Sequence, residues 1–500
     1  MFEMNAALAV NLDGSLQNNE TGRTRPAVIS DMTGKELIEF IELSINEWRA
    51  SKMYDWMIKG QKYFENENDI VDHKRQIIGS YGEMVDAIHL SNNKLAHSFM
   101  RKLTKQKIGY LLSKPFTIAS DDEDFKGKAA GYFDKNFYRL FKNSSQDAII
   151  RARGWIQIYY NEAGILSFKR IPSIEIIPFW GDIDHTELEA AIRIYNVEVF
   201  DGAEKKTVEH VQLFRPDIIY NFIRGKDGLI EDADNPSESN FILYKSEEDT
   251  EGTKFMWGKI PLIPLKYNTE ENSLLKYIKP LVDDYDKRTS DLSNVLQDEP
   301  DRIKVVKNYD GTNKEEFVYN LAKLRTVFLR ENGGVDTLDT SISSDALENH
   351  LKRLREDIYE FGGGVDTQNK SLGSGTSGIA LKFIYSDLDM DCADFSAELA
   401  WSLEQISWFI KQDLLLKEGI DYKDASFDAI FNTDIVINEA ETITNIKNSV
   451  GILSDKTLRE QHPYVTDATL EEKRIEEQKK AQFDEFANEY KNLNPVLPGE

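Results

Sequence analysis

Between Ser344 and Leu416 the chain passes from strict periodicity to none and back. Leu347, Leu351, Leu354, Ile358 and Phe361 are spaced four, three, four and three, which makes one apolar stripe along a helix face. Residues 362–378 then hold six glycines (Gly362, Gly363, Gly364, Gly373, Gly375, Gly378) among small polar residues. Such a segment can neither bury a core nor propagate a helix. Helical spacing returns at Ile379, Phe383, Ile384, Leu388, Phe395, Leu399, Leu403, Ile406, Ile410 and Leu414. A glycine loop set between two strong helices either cradles a ligand or moves.

The charge balance narrows what the loop can serve. With 61 basic and 87 acidic residues the chain carries a net charge of −26. A protein that grips DNA tightly neutralises phosphates with lysine and arginine, so this balance argues against a transcription factor or nuclease. It leaves room for a protein that handles DNA without holding it. No stretch of about 18 apolar residues is present, so no membrane span is expected. Residues 1–30 lack the pattern of a secretory signal and are expected to form a mobile arm. The single cysteine, Cys392, falls in the apolar stripe of the long helix and is expected to be a buried core thiol, with no intrachain disulfide.

The fold class expected is α+β and mainly helical. Thr33-Gly34-Lys35-Glu36 has the spacing of a capping box, followed by a stripe of Leu37, Phe40, Ile41, Ile45 and Trp48. Residues 92–112 read as a helix that carries Lys94, Arg101, Lys102, Lys105 and Lys107, a solvated face or a contact for an acidic neighbouring chain. From Trp155 to Tyr267 the pattern is of antiparallel strands, with a hairpin turn at Asn161–Gly164. Helix returns at Ser273 with Leu274, Ile278, Leu281, Tyr285, Leu292 and Val295; Pro280 fits only if a helix effectively begins there. Residues 301–339 read as a small α/β insert: a strand over 302–307, a helix over 314–325, and two short strands around Gly333-Gly334. Two helices with matching stripes thus bracket a compact knob. A short strand within 427–439, then helices over 439–452, 457–460 and 469–490, complete the chain.

Motifs of catalysis are weak. Gly373-x-Gly375-x-x-Gly378 matches the dinucleotide fingerprint in letters, but that motif needs a strand entering the loop and here a helix enters. Asp387, Asp389, Asp391 and Glu398 imitate a calcium loop, yet the position that demands glycine is Cys392 and helical register runs straight through. The seven histidines show no metal-ligand spacing. No enzyme, metal or cofactor is expected.

The order of stalk helix, knob, stalk helix, glycine loop and long helix resembles the portal proteins of tailed double-stranded DNA bacteriophages, in the siphophage branch of Gram-positive hosts. Local stretches carry the likeness: Asn93-Lys94-Leu95, Lys107 to Pro115, Ile171-Pro172-Ser173 with Ile177-Pro178, Gly258 to Pro264, Asp283 to Asp286, Gly375 to Lys382, Ser454-x-x-Thr457-Leu458, Pro463-Tyr464-Val465 and Glu471. The resemblance implies a dodecameric ring of identical subunits in the capsid. It implies a wing over 31–270, helical to about 150 and β-rich after it, stem helices over 271–299 and 344–361, and a clip over 300–343. A tunnel loop over 362–378, a long helix with wing return over 379–438 and a crown with tail over 439–500 follow. Implied partners are the terminase motor, major capsid and scaffolding proteins, head-completion or adaptor proteins, and double-stranded DNA passing through without sequence preference. Implied site residues are Thr367, Gln368, Asn369, Lys370 and Ser371 at the DNA, the six loop glycines as hinges, and Lys352, Arg353 and Glu356 as candidate channel-facing charges. The competing readings are a nucleotide-binding enzyme using Gly373–Gly378, and a capsid or adaptor component without a channel.

Overall fold

The computed structural model describes residues 32–78, 83–88, 90–161, 163–201, 204–239, 241–244, 253–298, 303–309, 329–338, 344–368, 383–431, 439–465 and 468–493. The chain divides into two compact units, Met1–Asp366 with Asp387–Asn432, and Thr367–Ser386 with Thr433–Glu500.

In the first unit, helices α1 (Gly34–Ala50) and α2 (Lys52–Phe64) follow the expected stripe, with Leu37, Ile41, Ile45 and Trp48 buried. The capping box at Thr33 is not made. Thr33 holds the N-cap position, but Gly34 follows at φ 59°, and the threonine side chain forms no cap hydrogen bond. A short ribbon of β1 (Gln76–Ile78) and β2 (Met84–Asp86) leads to α3 (Phe99–Leu111). This helix starts later than its sequence suggests, because side chains of the helix Leu274–Asp298 take up the polar groups of the preceding stretch. Asn93 N donates to Asn294 Oδ1 at 2.6 Å, Leu95 N to Ser290 Oγ at 2.9 Å, and His97 N to Asp286 Oδ1 at 3.0 Å. Strand β3 (Thr117–Ala119) and helices α4 (Glu123–Ala130) and α5 (Lys135–Arg151) come next, the two helices capped by Asp122 and Asp134.

The strand-rich region forms β4 (Arg153–Tyr160), β5 (Leu166–Ile171), β6 (Ile176–Trp180), β7 (Leu188–Asp201), β8 (Glu204–Phe214), β9 (Ile218–Gly225), β10 (Gly228–Glu231), β11 (Glu238–Ser239), β12 (Phe241–Tyr244), β13 (Thr253–Met256) and β14 (Leu262–Lys266). The order β10-β9-β8-β7-β6 is an antiparallel meander with β11 beside β9, and β14-β4-β5 is a second sheet. Alternate residues serve opposite faces. Ile177, Phe179, Ile192, Val211 and Leu213 pack against α1, whereas Ile176, Ala191 and Phe214 join Trp155, Ile171, Ile260 and Leu262 in a second cluster.

Helix α6 (Leu274–Asp298) runs through Pro280 instead of beginning there. Pro280 lacks the N–H that would meet the Lys276 carbonyl, and the helix accepts that one lost bond. The insert contains β15 (Ile303–Tyr309) paired antiparallel with β16 (Leu329–Leu338). The two short strands expected around Gly333-Gly334 fall within one strand, but its pairing with β15 shifts register there: Gly334 pairs with Lys307, whereas the next pair is Leu329 with Tyr309. The helix expected over 314–325 lies outside the described residues. Helix α7 (Ser344–Phe361) has the expected bounds. Helix α8 (Ser386–Glu418) is continuous only from Ser386, and β17 (Asp428–Ile430) returns to pair with β3.

In the second unit, α9 (Glu439–Asn448), α10 (Asp455–Glu460) and α11 (Ala468–Leu493) are described. Ser454 caps α10, and Arg459 reaches Glu472 of α11 at 3.3 Å.

Candidate functional site

The site is the frame from which the glycine loop springs. Helices α6 and α7 pack side by side. Leu274, Ile278, Leu354 and Ile358 of the expected stripe are buried, while Leu281, Tyr285, Leu292, Leu347 and Leu351 are half-buried. His350 Nε2 and Asp284 Oδ2, 3.0 Å apart, join the two helices. Lys352, Arg353 and Glu356 are exposed on the far side of α7. They take part in pairs along the helix, Lys352 with Glu356 at 3.9 Å and Arg353 with Asp357 at 3.1 Å. Exposed pairs at this spacing are weak, so the row stays free to exchange partners.

The first three glycines close α7. Gly363, at φ 54°, adopts the left-handed conformation that favours glycine. Its N–H bonds to Glu360 O at 3.1 Å and Gly364 N–H to Tyr359 O at 2.9 Å, the two bonds of a Schellman motif. Gly364 touches α3 so closely that a Cβ there would lie 2.2 Å from Leu103 Cδ2 and 2.9 Å from Gln106 Oε1. Helix α3 then grips the chain beyond. Gln106 donates to Val365 O at 2.7 Å and accepts from Val365 N at 3.2 Å, as a neighbouring strand would. Arg355 holds Asp366 with two bonds of 2.6 and 2.8 Å.

Lys107 completes the frame. Expected on a solvated or partner-facing surface, it is fully buried, with a side-chain exposure of 0%. Its Nζ donates to Gly363 O and to Asp391 Oδ2, both at 2.7 Å. Asp391 also accepts from Tyr267 OH at 2.7 Å, and Asp389 from Tyr110 OH at 2.6 Å. Two of the calcium-like acids, Asp389 and Asp391, are thus carboxylates of a continuous helix that bind a lysine and two tyrosines. No cluster of metal-ligating side chains occurs among the described residues. Burial, with the nearby carboxylates of Asp391 and Asp389, pushes the Cys392 thiol up to about 12 in spite of Lys107. Burial and Asp391 likewise raise Tyr267, which keeps its proton to donate.

Lys107, Gln106, Tyr267, Arg355 and Asp366 were not legible as a group, because they come from four separate stretches. One signal was present: Lys107 continues the stripe Met100, Leu103 and Tyr110, and a lysine inside an apolar stripe is buried with a partner. Thr367 and Gln368 are exposed at the last described turn. Asn369, Lys370, Ser371, Gly373, Gly375 and Gly378 lie outside the described residues.

Residues 49–484 match the family described as phage portal protein, SPP1 Gp6-like. The chain belongs to this family. It is 27% identical over 425 residues to the portal protein of Bacillus phage SPP1, which covers 84% of this chain and 83% of that relative. It is 24% identical over 455 residues to the portal protein of Clostridium phage phiCD119, covering 87% and 95%. Among solved structures it is similar to the neck of an empty GTA particle, with TM-score 0.39 and 11% identity over 73% of this chain and 89% of that one. It is also similar to a chain in the virion of a native gene transfer agent particle, with TM-score 0.36 and 12% identity over 80% and 97%. These structural likenesses are weak and add nothing to the assignment.

As a phage portal protein, the chain is a virion component at the capsid vertex. The portal family is structural, which disfavours the nucleotide-enzyme reading of Gly373–Gly378. The geometry agrees, since a helix delivers the chain to the loop. No helix among the described residues is long and apolar enough to cross a membrane.

Proposed function

We propose that twelve copies of this portal protein form a ring whose channel admits and releases double-stranded DNA, and that the chain itself carries out no catalysis. In this reading α6 and α7 are the stem, and the β15–β16 insert is the clip. The clip meets the terminase motor during packaging and head-completion or adaptor proteins afterwards. The outer regions meet capsid and scaffolding proteins. Residues 439–500 form the crown.

One observation carries the reading of the loop: both of its flanks are fastened to the buried ammonium of Lys107, through Gly363 O before it and Asp391 after it. A segment with fixed ends and a glycine-rich middle suits contact with a moving polymer. Thr367 to Ser371 contact DNA transiently, and Lys370 adds a single positive charge to that stretch. Several phosphate contacts per subunit, summed around a ring, would hold the DNA still. Hinge motion belongs to Gly373, Gly375 and Gly378. Gly362, Gly363 and Gly364 act as the rigid root, because their Schellman bonds and contact with Leu103 leave no room to swing.

Negative-stain imaging of the purified chain tests the ring: particles with a central hole are expected, and monomers or closed shells would overturn it. Deleting Thr367–Gly375 tests the loop. Packaging or DNA retention should fail in an assembly assay, and a variant that keeps both would remove the loop from the mechanism.

A further inference from the structure

Away from the loop, unsatisfied polar groups gather at the foot of α6. There a cavity of about 400 Å³ is lined by Met53, Trp56, Arg151, Glu271, Ser273 and Lys276 among others. Ser273 precedes the first residue of α6 and is only 3% exposed, yet its hydroxyl has no hydrogen-bond partner among the described residues. A serine here ordinarily accepts a bond from a first-turn amide. That bond is not made, so the positive end of a long helix is left without this cap.

Two arginines repeat the pattern. Arg151 donates to Asp147 at 3.2 Å and to Gln61 at 2.8 Å, and its Nε is buried with no partner among the described residues. Arg153, with 2% of its side chain exposed, meets Glu271 at 2.7 Å through Nη2, whereas its Nε and Nη1 are unpartnered among the described residues. The acids are oversubscribed. Asp147 serves both Arg151 and Arg170, and Glu271 serves Arg153, His185 and Lys266. These two buried carboxylates each serve more than one cation, with Glu65 and Glu175 also near Arg151 and Glu398 near Lys266. At the exposed rim, Lys52 and Lys276 outnumber Glu270. The backbone is held in a costly shape at two lining residues, Ala152 at φ 70° and Glu271 at φ 52°.

We propose that this cavity is an oxyanion site, built for a phosphate or carboxylate group that meets the Ser273 hydroxyl and the uncommitted Nε–H of Arg151, the two unpartnered polar groups on its lining. The apolar wall of Met53, Trp56 and Met57 accommodates a carbon skeleton behind a carboxylate. The oxyanion comes either from free phosphate or from an acidic side chain of a second copy, and the two sources separate experimentally.

The full-length chain, before and after assembly, is titrated with inorganic phosphate and with acetate by calorimetry. One site per unassembled chain is expected, weakened about tenfold in Ser273→Ala, the loss of one charge-assisted hydrogen bond. Ser273→Asp places a carboxylate in the site and should abolish binding. Should that variant fail to fold, Lys276→Ala on the exposed rim should weaken binding severalfold. Binding that persists in the assembled form assigns the site to free phosphate, and binding lost on assembly assigns it to a neighbour's carboxylate. No binding to the unassembled chain, or binding indifferent to the variant that folds, overturns the proposal.

Discussion

Lys107 and Asp391 stand 284 residues apart in sequence and 2.7 Å apart in space. The same ammonium also holds the carbonyl of Gly363, so one buried charge joins the end of α7, the start of α8 and the helix α3 beneath both. A buried lysine is tolerated only where its donors are satisfied, and here the partners are the two flanks of the loop.

Replacing Lys107 with methionine keeps the bulk and removes the charge. Fully buried ion pairs lose about 3–5 kcal/mol when one partner is removed. Asp391 retains Tyr267 and is 27% exposed, so a loss of about 2 kcal/mol is expected. Denaturant titration measures it, and limited proteolysis should cut first within residues 362–390. An unchanged midpoint and cutting pattern would show that Lys107 does not hold the loop.

Two glycine-to-alanine substitutions should act in opposite directions. Gly364→Ala forces a Cβ against Leu103 and Gln106 and should cost about 2 kcal/mol. Gly109→Ala, within α3 and with nothing within 4 Å of the new carbon, should gain up to about 1 kcal/mol. Thermal midpoints of the two variants should fall on either side of the parent.

Cys392 is buried and its thiol is pushed up to about 12, so almost no thiolate exists at neutral pH. Alkylating reagents at pH 8 should leave the folded chain unlabelled and label it promptly in denaturant. Rapid labelling without denaturant would contradict the packing of α8.

Acid should weaken the β-rich region through Glu271. Burial alone would raise its carboxyl, but Arg153, His185 and Lys266 outweigh burial and hold it at about 2, below the ordinary value of 4.5. A carboxyl depressed in the folded state adds stability above its unfolded value, and that stability drains as pH falls from about 4.5 to about 2. The contribution is about 3 kcal/mol. Glu271→Gln should flatten the stability profile over that interval, as followed by circular dichroism.

The sequence displayed the helices and strands wherever periodicity was local. The stripe from Leu347 to Phe361 predicted the body of α7 and its end at Phe361, and the Asn161–Gly164 turn predicted the β4–β5 hairpin. Local pattern failed where distant partners decided. Residues 92–98 have helical composition, but Asp286, Ser290 and Asn294 of α6 capture their polar groups. Pro280 suggested a helix start, yet the packing of Leu274, Leu275 and Ile278 carries α6 past it. The site was harder still, since Lys107, Asp391 and Gly363 converge only once α3, α7 and α8 are in place.

The Lys107 bonds also bear on how the loop can change over generations. With its flanks tied at a common point, the glycine segment is a closed bight whose length is set by neither helix. Each doubling of such a bight adds only about 0.6 kcal/mol to the entropy of closing it. Insertions and deletions there should be far cheaper than a single methyl group at Gly364, so the loop can be retailored while the knot that secures it stays the same.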